Sequence, residues 1–258
     1  MNYRFILTLA LTFGVMSSSY SEWGQTGHRV IGEIAEAHLS NTARKQIDLF
    51  LEGHSLAFFS FYSDEIKSDS QYDSFKPWHY INFPFDSQYA GEKTSDKGDL
   101  AEGIAYCIAQ LKNEETPDDK KAFFLKMLIH LIGDLHQPMH IGISSDRGGN
   151  GFPVKWFGRK TNLHRVWDTQ MIDGFGMSYT ELALNRDRWS KSQIRSIQEG
   201  SIEDWINDSR TLTKDIYQNT QPDQKLSYAY SYRYMNVLRT QLHKGGLRLA
   251  KILNTLFK

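Results

Sequence analysis

Apolar side chains recur every three or four positions along most of the chain, and this spacing predicts helices. In "GHRVIGEIAEAHL" the repeat runs through Val30, Ile31, Ile34, Ala35 and Leu39, and it ends at Ser40 and Asn41. "NTARKQIDLFLEG" begins again on a capping-type residue and stops at Gly53. "DLAEGIAYCIAQLKN" predicts a helix capped by Asp99, and "PDDKKAFFLKMLIHLIGDLH" a long one opened by Pro117 and acids and broken near Pro138. Two late helices are expected, over 201–217 and 230–257. Strand signals are sparse. "WHYINFPF" and "FPVKWFG" are short and extended, able to form a small hairpin or simply to lie against helices, and "DSQYAGEKTSDKGD" and "SSDRGGNGF" are expected loops. The expected fold is mainly α, a single helical domain with at most a small β-hairpin.

Composition narrows the picture. With 258 residues, 40% of them hydrophobic, the chain can bury a sizeable core. Thirty basic residues balance thirty acidic ones, so no bulk positive charge draws nucleic acid, and any such substrate must be met locally at a site. Arg4 precedes the apolar run "FILTLALTFGVM" and then "SSSYS", the order of a signal peptide, which places residues 1–21 in a cleaved leader and 22–258 in the mature domain. An exported chain, periplasmic or secreted, with no stable membrane association, is therefore expected. The single cysteine, Cys107, lies in a helix interior and reads as an inert core thiol, so stability must come from packing or from metal.

Residues 130–140 read "HLIGDLHQPMH", three histidines and an aspartate among residues that belong in a core. Buried polar groups need partners, and a cation would satisfy several at once. His130 and Asp134 are four apart, hence on one helix face, and "NLHRVWD" repeats the spacing with His164 and Asp168. Mixed nitrogen and oxygen donors of this kind suit zinc. Pro138 allows the chain to turn His140 toward the same cavity, whereas His136, six positions beyond His130, reads as a buried histidine bonded to backbone or to a ligand.

The sequence resembles the S1/P1 nuclease family of zinc-dependent nucleases that prefer single strands. The resemblance rests on "WGQTGHRVIGEIAEAHL", "YSDEIK", "PWHYINF", "HLIGDLHQPMH", "DRGGN" and "NLHRVWD", with the closing "GGLRLAKILN", and runs from Trp23 almost to the C-terminus. It implies the helical domain of the phospholipase C and P1 nuclease type and three zinc ions. One would be held by Asp64, His79, His130 and Asp134, and a second by His140, His164 and Asp168. The third would take His28, Asp134 as a bridge, and the backbone of Trp23 as the mature N-terminus. A cut after Ser21 leaves Glu22 ahead of Trp23, a departure from that pattern. Cleavage after Glu22, trimming of Glu22, or a differently bound third zinc would each resolve it.

The resemblance also assigns catalytic roles to Asp64, Lys67 and Asp134, with Lys67 steadying charge on the reacting phosphate. Tyr80 and Asn82 would take a nucleobase by stacking and edge hydrogen bonding. In the glycine-rich loop, Asn150 either orients a ligand or substrate or belongs to a tight surface turn. The implied activity is endonucleolytic hydrolysis of single-stranded DNA and RNA to 5′-phosphorylated products, with 3′-nucleotidase action on mononucleotides as a further expectation, by a monomer. The rival readings are a zinc phospholipase C and a non-catalytic zinc-binding protein.

Overall fold

A computed structural model of the chain describes residues 23–91 and 94–258. Four helices come first: α1 (Gln25–Ala37), α2 (Asn41–Phe50), α3 (Leu56–Phe59) and α4 (Tyr62–Glu65). After a 3-10 segment over Ser70–His79 come α5 (Leu100–Lys112) and α6 (Asp118–Leu135). Then follow α7 (Leu163–Arg165), α8 (Met171–Phe175), α9 (Tyr179–Leu184), α10 (Lys191–Gln198), α11 (Ile202–Gln218) and α12 (Tyr228–Leu256). The expected long helices are all present within a few residues of their predicted ends. Pro117 stands at the N-cap of α6, and Asp99 caps α5 by accepting from the backbone N–H of Ala101 and Glu102.

Helix α6 runs through the middle of the molecule. Every residue from Met127 to Leu135 is buried, so this helix is covered on all sides rather than along one stripe. Its polar members, His130 and Asp134, are thereby forced into the interior. Helix α5 packs along α6, and α1 lies between α12, α3 and α9 while also touching α6. Close approach of α1 to α6 depends on Gly133: a Cβ there would stand 2.6 Å from His28 Nδ1.

Five short strands accompany the helices: β1 (Ile81–Asn82), β2 (Ile141–Gly142), β3 (Pro153–Trp156), β4 (Arg159–Asn162) and β5 (Lys225–Leu226). The two extended segments anticipated as hairpin partners do not pair with each other. β3 forms its hairpin with the next segment, β4, and adds β5 in parallel. β1 pairs in parallel with β2, Ile81 opposite Ile141 and Asn82 opposite Gly142. The buried Arg210 on α11 clasps this second pair, donating to the carbonyls of Ile141 and Gly142 at 2.9 and 2.8 Å and to that of Phe83. Helices α8, α9 and α10, which the spacing did not predict, are five, six and eight residues long. Such lengths are too short to display a helical period. Serine N-caps define two of them, with reciprocal capping boxes at Ser178–Glu181 and Ser190–Gln193.

Candidate metal centre

Helix α6 places His130 and Asp134 one turn apart, and their side chains meet at 3.1 Å between Nε2 and Oδ2. His79, at the end of its 3-10 segment, brings Nδ1 to 2.9 Å from Asp134 Oδ2 and 3.1 Å from His130 Nε2. Asp64 on α4 closes the group, with Oδ1 3.4 Å from His130 Nε2 and 3.8 Å from His79 Nδ1. On the other side of Asp134, His28 of α1 lays its ring on that of His130, centroids 3.9 Å apart, and points Nε2 at Asp134 Oδ1 from 3.4 Å.

The second group gathers around Asp168. The His164-x-x-x-Asp168 pair was expected on an ordinary helix. Instead α7 passes into a π-helical turn over Val166–Gln170, the wider form often found where a helix is shaped by a site. His164 Nε2 reaches Asp168 Oδ2 at 3.0 Å, and His140 Nε2 lies 3.6 Å from Asp168 Oδ1. His140 gets there because the chain turns at Pro138 into a 3-10 turn over Pro138–His140. Its Nδ1 also lies 3.2 Å from Asp134 Oδ1, so the two groups are contiguous.

Three combinations of these side chains have ligand atoms close enough to share an ion: His28, His130 and Asp134; Asp64, His79 and His130; and His140, His164 and Asp168. The chemistry of the set fits a cation. Neither ring nitrogen of His28 makes a hydrogen bond, and neither does His140 Nε2, although all three are buried. Interior polar atoms seldom remain unsatisfied without a reason of this kind.

The same pairs set the electrostatics of the metal-free centre. Burial disfavours charge on every member, but for His130 and His140 the adjacent carboxylates outweigh it. Asp134 and Asp64 raise His130 to about 10, and Asp134 with Asp168 raises His140 to about 9. Without metal these two imidazolium groups serve as counter-ions for the buried aspartates, and both Asp134 and Asp168 are held below the usual carboxylate range by their histidine partners against the opposing effect of burial. His28 is lowered to about 4 by burial and then by the charge on His130. Asp64, at the mouth of the group, is raised to about 6, chiefly by burial. Lys67 holds its Nζ 3.0 Å from Asp64 Oδ1, and burial brings it down to about 7.

The remaining predicted residues are placed as follows. Tyr80 directly follows His79 and is 47% exposed. Asn82 is partly buried, and its Oδ1 has no hydrogen-bond partner. Asn150 donates to the carbonyl of Arg147 at 3.1 Å within its own turn. It is Gly148 of that loop that meets the cluster, accepting from His164 Nδ1 at 2.6 Å. Gly148 has φ +60°, and a Cβ there would collide with the carbonyl of Met139. Trp23 is fully buried, and the next residue, Gly24, donates its N–H to Asp168 O at 2.9 Å. Glu22 and the expected cleavage after Ser21 lie outside the described residues. His136, as expected, is bonded internally, to the carbonyl of Ile132 at 2.8 Å and to Arg248 at 3.1 Å.

Sequence reasoning missed Ser63, Gln137 and Arg210. Ser63 Oγ lies 3.0 Å from His79 Nε2, and Gln137 donates to Asp168 Oδ1. Both stand inside the motifs quoted above, so the available signal was a polar residue flanking a ligand in an apolar setting. Nothing local distinguishes Arg210 from a surface arginine.

A mainly helical chain with these clustered, buried histidines and aspartates carries side chains able to hold metal ions. The S1/P1 nuclease family model matches residues 23–258, and the chain belongs to that family. Endonuclease 4 of Arabidopsis thaliana is 29% identical over 274 residues, covering 91% of this chain and 89% of the relative. Nuclease S1 of Aspergillus oryzae is 29% identical over 198 residues, with 71% and 68% covered. Nuclease P1 of Penicillium citrinum is 25% identical over 268 residues, with 90% and 97% covered. Among solved structures, the alpha-toxin of Clostridium perfringens aligns with a TM-score of 0.45 at 16% identity, over 92% of this chain and 64% of the toxin. The chain is a hydrolytic phosphodiesterase, a nuclease whose substrates are nucleic acids.

Proposed function

We propose that this protein is an exported, zinc-dependent endonuclease that cleaves single-stranded DNA and RNA to 5′-phosphorylated products, with 3′-nucleotidase activity at the same centre. The observation that carries the reading is the donor spacing around Asp134. Zinc takes ligands at about 2.1 Å in a tetrahedron, which separates neighbouring donors by about 3.4 Å. The atoms of Asp64, His79, His130 and Asp134 stand 2.9 to 3.8 Å apart where they face one another. Three zinc ions are proposed, one on those four residues, one on His140, His164 and Asp168, and one on His28, Asp134 and the backbone of Trp23. Clustered divalent cations supply Lewis-acid neutralisation of a phosphodiester and lower the pKa of water.

The chain's own residues do the rest. Asp134 bridges between groups and fixes their separation. Asp64 orients the attacking water, and Lys67 offers a buried ammonium to charge that develops on phosphorus. Tyr80 supplies a face on which an unstacked base can lie, and Asn82 an amide for its edge, which favours single strands over duplex. Export is supported by the leader-like residues 1–21, and among the described residues no helix is long and apolar enough to cross a membrane. A single domain over 22–258, acting as a monomer, completes the proposal.

The deciding experiment compares turnover of single-stranded DNA, duplex DNA, RNA, 3′-mononucleotides and phosphatidylcholine by the same preparation before and after chelation. Single strands should be cut fastest, activity should vanish with chelator, and zinc should restore it. Faster turnover of the phospholipid would replace this reading with a phospholipase C. Metal-loaded protein inert toward every nucleic acid would reduce it to zinc binding.

A further inference from the structure

The imidazoles of the centre are not oriented alike. His130, His140 and His164 place Nδ1 against backbone carbonyls, those of Ser60 at 2.8 Å, His79 at 2.7 Å and Gly148 at 2.6 Å. A carbonyl only accepts, so Nδ1 carries the proton and Nε2 is left to bind metal. His79 is reversed. Its Nδ1 faces Asp134, Asp64 and His130, while Nε2 points outward to Ser63 Oγ at 3.0 Å. For Nδ1 to offer its lone pair, the proton must sit on Nε2, and Ser63 Oγ is there to accept it. Ser63 is 1% exposed, so water does not replace that acceptor.

The second group has its own side-chain support. Gln137, fully buried, donates its amide N–H to Asp168 Oδ1, while its Oε1 accepts from the N–H of Met139 at 2.6 Å. The amide is thus pinned from behind by the backbone of the 3-10 turn that carries His140. One carboxylate oxygen of Asp168 is held by Gln137, and the other faces His164.

We infer that Ser63 and Gln137 are positioning residues that set the metal affinity of the two groups separately, Ser63 through the tautomer of His79 and Gln137 through the orientation of Asp168. This rests on the metal-centre reading above. Loss of the Ser63 hydroxyl removes the group that accepts the Nε2 proton. The ring then favours the other tautomer, whose Nδ1–H donates to Asp134 Oδ2 and is closed to metal. Loss of the Gln137 amide frees Asp168 to rotate off His140. Supporting partners of this kind typically carry about 10- to 100-fold in metal affinity.

The test uses the full mature chain and zinc itself. Crystals of wild type, Ser63→Ala and Gln137→Met are equilibrated at one limiting free zinc level, and occupancy in each group is measured by anomalous scattering. 15N NMR of the metal-free proteins reports in parallel whether each variant is folded. Ser63→Ala should lower zinc affinity 10- to 100-fold only at the group containing His79; Ser63→Thr, which keeps the hydroxyl, should restore it. Gln137→Met should produce the same loss only at the group containing Asp168. Zinc in the wild-type groups with unchanged occupancy in folded variants overturns this inference alone, as does an equal loss at both groups from either variant. Wild-type crystals with no zinc in either group overturn it together with the reading on which it rests.

Discussion

His79 Nδ1 and Asp134 Oδ2 stand 2.9 Å apart although 55 residues separate them along the chain. Asp134 is the hinge of the centre: His28, His79, His130 and His140 all approach it within 3.4 Å. Consequences for metal, charge and stability follow from that convergence.

Asp134→Asn keeps the shape of the side chain and removes its charge. Because both groups touch Asp134, the variant should lose metal at more than one position, and turnover of single-stranded DNA should fall at least about 100-fold. Metal analysis by atomic emission alongside the rate measurement checks this. Full activity with a full metal complement would contradict the bridging role.

Lys67→Met removes the amine beside Asp64 and leaves the clustered histidines in place. Its effect should fall on kcat, by about 10²- to 10³-fold, with zinc content unchanged, as for other buried groups that meet charge formed in the transition state. A change confined to KM would show that Lys67 serves ground-state binding alone.

The charge state of the metal-free centre has a sign that can be measured. His130 and His140, raised to about 10 and about 9, are protonated near neutrality, whereas a histidine bound to metal through nitrogen is not. Zinc loading at pH 7.5 should release close to two protons per chain from these residues, detectable in a pH-stat or as a buffer-dependent calorimetric heat. For the metal-free protein, a folded pKa above the unfolded value contributes stability that is complete below about pH 6.5 and disappears as pH rises through 9 to 10. Chelator-treated protein should therefore melt at lower temperature at pH 10 than at pH 7, and a higher melting temperature at pH 10 would refute the assignment.

Arg210→Met tests the clasp that joins β1 to β2. The change strands the carbonyls of Ile141 and Phe83, leaves that of Gly142 with the Phe83 N–H at 3.2 Å, and removes a guanidinium lying 4.1 and 4.4 Å from the ring centroids of Phe83 and Phe85. An unsatisfied buried acceptor costs about 1–3 kcal/mol, so the variant should lose at least about 2 kcal/mol in urea unfolding. Because β1 carries Asn82 and β2 adjoins His140, single-strand affinity should also weaken. Unaltered stability would mean that water reaches these carbonyls.

The sequence by itself determined whatever depends on neighbours three or four residues away. The long helices, the Asp99 cap, the break at Pro138 and the shared face of His130 and Asp134 are local consequences of helix geometry, so one stretch of chain contains all the information needed. His130, Asp134, His140, His164 and Asp168 were legible from their spacing and their setting among core residues, whereas His28, Asp64 and His79 joined the set only through the family resemblance. Tertiary structure decided which atom of each meets which. The reversed ring of His79 depends on Ser63 of α4, the stacking of His28 on His130 depends on α1 crossing α6 at Gly133, and the pairing of β1 with β2 depends on an arginine from α11. These contacts join segments tens of residues apart, and they are selected by the simultaneous burial of many side chains rather than by any local preference of the backbone.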